Sequence, residues 1–207
     1  NTYSWRTDGY DLHSVNEYYE TVADYIGITN KNEDVLSFSR KIKDPKRFSN
    51  RANVVIIILE TFPTYKIGCF GNLLNPTPNF DKLAEKSIVF TNFFVPKFST
   101  AASVFSTMTG LPDMATINKT STNDPFSFKQ HLLINDLKKY KKSFFIGGSA
   151  NWADIGGFFR RNIEDISIYE EGIYSKESIN AWGISDYDLF LEAHKIIKEE
   201  KEPFISI

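Results

Sequence analysis

Asn53-Val54-Val55-Ile56-Ile57-Ile58-Leu59-Glu60 is the stretch on which the reading of the fold turns. Six apolar residues, five of them β-branched, run without a polar break and stop at an acid. A strand with one wet face alternates apolar and polar side chains, whereas a strand covered on both faces reads as a continuous apolar run. The run predicts a central parallel strand over 54–59, buried on both faces, with Glu60 at its carboxyl end.

Downstream, punctuation and periodicity alternate between the two regular structures. Thr77-Pro78 opens a helix, with Thr as cap and Pro at the first turn. Ser87 to Phe94 reads as a second strand. Ala101, Val104, Phe105 and Met108 follow at helical spacing, ended by Gly110 and Pro112. Ser127-Phe128-Lys129-Gln130 has capping-box spacing and opens a helix carrying Leu132, Leu133 and Leu137. Ser143-Phe144-Phe145-Ile146 is a third strand, stopping at Gly147-Gly148. Ser185 caps a last helix bearing Leu189, Phe190, Ala193, Ile196 and Ile197, which feeds an apolar strand at Pro203–Ile207. Such alternation predicts an α/β fold, a mostly parallel sheet flanked by helices.

Upstream of Asn53 the character differs. Ser14-Val15-Asn16-Glu17 has capping-box spacing, and Val15, Tyr18, Tyr19, Val22 and Ile26 recur as one amphipathic face. From Asn30 to Arg51 the chain is mostly charged and broken by Pro45, a linker or wrapping arm. The chain begins at Asn1 rather than Met and ends within an apolar strand, so it reads as a piece of a longer protein. No stretch approaches the roughly 20 apolar residues that span a bilayer. With 42% apolar and 24% charged residues the 207-residue chain has a globular balance, and its net charge of −2 offers no footprint for nucleic acid. The richness in aromatics, 18 Phe and 10 Tyr, fits a large core. Cys69 is the single cysteine, which excludes an internal disulfide framework.

In open α/β sheets ligands gather at the carboxyl ends of the strands. Glu60 falls there, where a carboxylate can meet a hard or borderline cation. Thr100 falls at the cap of the helix after the second strand, where a hydroxyl faces free N–H groups and the positive helix end, a setting that suits a phosphoryl group. A metal-binding Glu beside a metal-activated Thr nucleophile makes half of a working site. The same residues also admit plainer roles: an acid after a strand is often only solvated, and Ser99 or Thr100 can be an ordinary N-cap.

The ordered text around these positions narrows the choice. Residues 53–62, Thr77-Pro78-Asn79-Phe80-Asp81-Lys82-Leu83-Ala84, Phe90-Thr91-Asn92-Phe93-Phe94, Ser99-Thr100 and Thr109-Gly110-Leu111-Pro112 resemble the sulfatase-like catalytic domain of lipoteichoic-acid synthases and phosphoglycerol transferases. Gly147-Gly148-Ser149-Ala150-Asn151-Trp152, Gly157-Phe158-Phe159-Arg160-Arg161-Asn162 and Trp182-Gly183-Ile184-Ser185-Asp186 continue the likeness, which runs from 53 to 207, about three quarters of the chain. The resemblance implies a truncated alkaline-phosphatase-like domain, with residues 51–207 as its N-terminal part. Residues 1–50 become a helical arm or linker after a membrane region. Glu60 is implied as a ligand of a divalent metal, manganese before zinc or magnesium, and Thr100 as both nucleophile and metal neighbour. The Asp-His pair that completes the family's ligand set has no counterpart here: His13, His131 and His194 each lack a preceding Asp. The Gly-Gly segment implies headgroup contacts from Trp152 and Asp154, with core packing the alternative for Trp152, while Gly156 stands where relatives tend to have Arg.

The implied activity is transfer of a phosphoglycerol-type headgroup from a phospholipid donor, through a phospho-threonine, to a glycan or polymer acceptor on the outer face of the membrane. Sulfate-ester hydrolysis by a formylglycine needs a Cys/Ser-x-Pro-x-Arg context, and Ser99-Thr100-Ala101-Ala102-Ser103 has neither Pro nor Arg. A phosphodiesterase or phosphatase on the same fold, a phosphoethanolamine transferase, and a non-catalytic headgroup- or polymer-binding relative are the alternative readings. Cys69, in a turn-like Gly68-Cys69-Phe70-Gly71 stretch, reads as a buried or idle thiol.

Overall fold

The computed structural model describes residues 12–32, 51–95, 97–113, 122, 130, 132–201 and 203–207. The chain divides into two units, Asn1–Asn50 and Arg51–Ile207. In the first unit, helix α1 spans Leu12–Tyr25. It buries Tyr19 and Ala23, which pack with Ile26 and Ile28. Tyr18 and Val22, placed on the apolar stripe by their spacing, are exposed instead. The buried stripe follows Tyr19, whose hydroxyl accepts the Asn32 N–H at 3.0 Å and folds the helix exit back.

The second unit is built on four parallel strands, β1 (Val54–Val55), β2 (Lys141–Phe145), β3 (Ile166–Tyr169) and β4 (Phe204–Ser206), in the order β1-β4-β2-β3. Between them come α2 (Pro78–Ala84), α3 (Thr100–Thr109), α4 (Ile155–Asn162) and α5 (Asp186–Glu199). The register sets Val54 beside Ile205, Ile205 beside Lys142, and Lys142 beside Ile166. Because side chains alternate across the pleat, one face collects Val54, Ile56, Ile205, Ile207, Phe144, Ile166 and Ile168. That face packs against Ala101, Val104, Phe105 and Met108 of α3 and Ile155, Phe158 and Phe159 of α4. On the opposite face Ser143 and Ser206 share a buried hydrogen bond of 2.8 Å between their hydroxyls, and Phe145 stacks on its register partner Tyr169.

The central strand is β4, not the run at 54–59. Only Val54–Val55 joins the ladder, with Ile56 adding one bond from its N–H to the Ser206 carbonyl at 2.8 Å. β1 stands at the sheet edge, and Val55, Ile57, Ile58 and Leu59 are all exposed. The reason is one-sided pairing: among the described residues β1 has a neighbour in β4 alone, so continuous apolar character does not by itself bring burial on both faces. The segment Ser87–Phe94 forms no strand, and Ile88, Phe90, Phe93 and Phe94 are exposed. Strand propensity needs a partner to act on, and among the described residues this segment has none.

Residues 127–129 of the expected capping box lie outside the described residues. In place of the helix through Leu132, Leu133 and Leu137 there is a 3-10 turn over Leu133–Asp136. Asn135 diverts it: its side-chain amide donates to the Asn162 carbonyl at 2.5 Å and its oxygen accepts the Glu164 N–H. Leu132 is fully buried, while Leu133 faces solvent. The expectations for α2, α3 and α5 hold, including Pro78 at the first turn, left-handed Gly110 after α3, and Ser185 as a cap accepting the Asp188 N–H at 3.1 Å. Hydrogen bonding by Ser185 and the nearby Lys176 ammonium hold the Asp188 carboxyl below its usual range.

Truncating Phe158 to Ala should lower unfolding free energy by about 3–5 kcal/mol in a urea titration, since the ring is fully buried among aromatic neighbours. Leu133→Ala should cost less than about 0.5 kcal/mol. A large loss at Leu133 would mean that the helical reading of 132–137, and not the turn, describes this segment.

Candidate active site

Parallel pairing aims the carboxyl ends of all four strands at one edge, and the residues singled out by the sequence gather there. Glu60 ends the run that leaves β1. The residue after it, Thr61, has φ 52°, a left-handed conformation that a β-branched residue adopts only under constraint. Such a conformation costs on the order of 1–3 kcal/mol and turns the chain sharply just beyond the acid. Phe62 then anchors the turn against Phe80 of α2, the rings meeting edge-on at 5.3 Å.

Thr100 is the first residue of α3, and extended Ser99 is the N-cap, so the sequence-based placement of Thr100 at the cap is off by one. The correction matters chemically. A capping hydroxyl must sit at the N-cap to reach the N–H groups of the first turn, whereas one at the first helical position is released from that duty. The Thr100 hydroxyl instead donates to Glu60 Oε1 at 3.0 Å, across 40 positions of sequence. It stands at the positive end of a ten-residue helix whose first N–H groups lie outside the helix's own ladder. The site is open: Glu60 is exposed and Thr100 partly so.

The second cluster leaves the end of β2, two strand positions from β1 and hence roughly 10 Å across the sheet. Gly147 and Gly148 press against the Trp182–Gly183 backbone so closely that a Cβ on Gly148 would lie 2.5 Å from the Trp182 carbonyl oxygen. Trp152 follows in a 3-10 turn, Trp152–Asp154. Trp152 is 44% exposed, so it is not a core residue, and its indole meets Trp182 edge-on at 6.1 Å. The Asp154 carboxylate pairs with Arg161 at 2.7 Å.

Ala153 and Asp154 both hold left-handed backbone, φ 48° and 55°. Thr122 fastens this turn from outside, donating to the Ala153 carbonyl at 2.6 Å and accepting from Arg161 at 2.9 Å. The paired glycines that open α4 make room for it. A Cβ on Gly156 would sit 2.8 Å from that of Ala150, and one on Gly157 would sit 1.9 Å from Asp154 Oδ1. Close approach, rather than flexibility, explains a glycine at 156.

Glu170, just past β3, escaped the sequence reading. Its carboxylate accepts the Ala150 N–H at 2.7 Å and faces Arg160 at 3.5 Å. The acid-after-strand rule that found Glu60 applies to it equally, but β3 is short and flanked by polar residues, so the strand itself was not read. Cys69 is exposed rather than buried. Loss of hydration and the adjacent Asp81 carboxylate push its thiol up, which keeps it protonated and idle. His194 is exposed on α5, and His131 lies outside the described residues. Among the described residues no three His, Cys, Asp or Glu side chains converge as a metal cluster.

The fold is that of the alkaline phosphatase superfamily. A superfamily protein from Vibrio parahaemolyticus matches with a TM-score of 0.74 at 22% identity, over 92% of this chain and 48% of that one. The lipoteichoic acid synthase LtaP from Listeria monocytogenes matches with a TM-score of 0.67 at 20% identity, over 90% of this chain and 45% of that one. The chain therefore spans about half the length of these solved structures. The chain belongs to the sulfatase family, whose profile matches residues 52–207. No curated protein matches the sequence significantly.

If the Gly157 contact exists to seat the Asp154 carboxylate, Gly157→Ala and Asp154→Ala should each destabilise by about 1 kcal/mol, and the double variant should lose little more than either alone. Additive losses in a double-mutant cycle would show that the glycine serves the helix and not the ion pair.

Proposed function

We propose that this chain is the first part of the catalytic domain of a metal-dependent phosphotransferase, which moves a phosphoglycerol-type headgroup from a phospholipid donor to a glycan or polymer acceptor. The observation that carries this reading is the 3.0 Å contact between the Thr100 hydroxyl and the Glu60 carboxylate at the start of α3. A nucleophile, a carboxylate and a helix N-terminus at the carboxyl edge of a parallel sheet are what a phosphoryl-transfer half-site needs.

Both oxygens are hard donors, a set that suits Mn²⁺ or Mg²⁺ and is accepted by Zn²⁺. Glu60 and Thr100 would hold the cation, with further ligands supplied by the rest of the parent domain. Such a cation, when bound, offsets phosphate charge and favours the alkoxide form of the hydroxyl. The roles of the chain's own groups follow. The hydrogen bond to Glu60 directs the Thr100 proton away from the substrate and leaves an oxygen lone pair free to attack phosphorus. A P–O bond to Thr100 forms as the bond to the diacylglycerol oxygen breaks, and diacylglycerol leaves carrying a proton. An acceptor hydroxyl then takes the phosphoglycerol group from Thr100 and returns the proton to it. Trp152, exposed at the same sheet edge, contributes an aromatic wall for the headgroup. The absence of Pro and Arg after Ser99 favours phosphate over sulfate esters. With a glycan or polymer acceptor, the reaction belongs at the outer face of the cytoplasmic membrane.

In the full-length protein, Thr100→Ala should lower headgroup transfer from labelled phosphatidylglycerol by at least about three orders of magnitude while costing about 1 kcal/mol or less of stability, since Thr100 caps nothing. Thr100→Ser should keep partial activity, and Ser99→Ala should be mild. Activity surviving in Thr100→Ala would sink the covalent route. Label passing to water instead of polymer would make the protein a phosphodiesterase.

A further inference from the structure

We propose that Glu170 is a positioning residue that sets the Trp152 indole at the substrate edge, an inference that rests on the phosphotransfer reading above. The loop from Gly147 to Asp154 is tied to the sheet at its start, where the Gly147 carbonyl accepts the Ile184 N–H at 3.0 Å and the Gly148 carbonyl accepts the Glu171 N–H at 3.1 Å. Beyond Gly148 the backbone leaves the sheet, and Trp152 is carried on a turn whose next two residues are left-handed. A chain does not hold two such residues in succession unless its surroundings impose them.

Ahead of Trp152 in the chain, the imposing contact is the bond from the Ala150 N–H to Glu170 Oε2, 2.7 Å. Ala150 is fully buried, so water cannot take over when that acceptor is removed. The other carboxylate oxygen faces Arg160 in the second turn of α4, and the Ala150 carbonyl accepts the Gly156 N–H at 2.7 Å. One carboxylate therefore joins the end of β3, the Trp152 loop and α4. The Glu170 side chain is only 20% exposed and is engaged in these contacts, which is why it positions the loop instead of meeting the substrate.

The test uses the full-length protein in two formats. Steady-state transfer from phosphatidylglycerol in mixed micelles gives KM and kcat. A version keeping Trp152 as the sole tryptophan gives fluorescence anisotropy, which reports indole order without any reaction. Glu170→Ala should raise KM about tenfold with kcat within about twofold, and should lower the anisotropy. Glu170→Gln, which keeps an acceptor for Ala150, should restore both. Should Glu170→Ala fail to fold, Glu170→Asp replaces it, because the shorter side chain withdraws the acceptor and should reproduce the KM and anisotropy changes. A fall in melting temperature with KM and anisotropy unchanged would overturn the proposal, as would a Gln variant as impaired as the Ala variant. If the parent transfers no headgroup at all, the phosphotransfer reading fails, and the anisotropy arm alone decides whether Glu170 orders the indole.

Discussion

Parallel strand pairing is the constraint from which the rest of this structure follows. Antiparallel pairing of β2 with β3 would send Glu170 to the edge opposite the Gly147-Gly148 turn and separate groups that now share one. Here the β1-β4-β2-β3 ladder gathers Glu60, the Gly147-Gly148 turn and Glu170 along a single edge, and α3 delivers Thr100 to Glu60. The ladder is held from one side by a core of α3 and α4 aromatics and aliphatics, and from the other by the buried Ser143–Ser206 hydroxyl pair. Each serine satisfies the other, so two polar groups are buried in the sheet without the cost of unmet hydrogen bonds.

Backbone strain is concentrated at the same edge. Of the five non-glycine residues with positive φ among the described residues, Thr61 follows Glu60, while Ala153 and Asp154 follow Trp152. Rare conformations persist only where neighbours over-determine them. Around Trp152 those neighbours are identifiable: Glu170 on Ala150, Thr122 on Ala153 and Arg161 on Asp154. Gly156 and Gly157 permit this by leaving no Cβ where Ala150 and Asp154 must lie. The arrangement presents an aromatic ring and a hydroxyl from rigid supports, which a site needs if it is to avoid reorganising during the reaction.

Much of the fold was legible in the residues because caps and periodicity are local. Thr77-Pro78, Gly110 and Ser185 mark helix ends through their own backbone preferences. What was not legible depends on partners far away in sequence. The run at 54–59 has the composition of a central strand, yet its place at the edge is decided by β4, some 150 residues later. The aromatic stretch 87–94 carries strand propensity without a strand to pair with among the described residues. Glu60 and Thr100 could be brought together from topology alone, because both fall at the carboxyl edge. Glu170 could not, since the four-residue strand before it has no distinctive pattern. The commitment of Asp154 to Arg161 likewise arises from a left-handed turn that no spacing rule announces.

The proposed phosphotransfer requires Glu60 and Thr100 to be two ligands of one catalytic cation. The most direct measurement is a crystal structure of the full-length protein grown with Mn²⁺, with data collected at the manganese absorption edge. An anomalous peak bonded to both the Glu60 carboxylate and Thr100 Oγ1, abolished in Glu60→Ala, is the expected result. A fully occupied manganese site that leaves the Glu60–Thr100 hydrogen bond intact and engages neither side chain would contradict it.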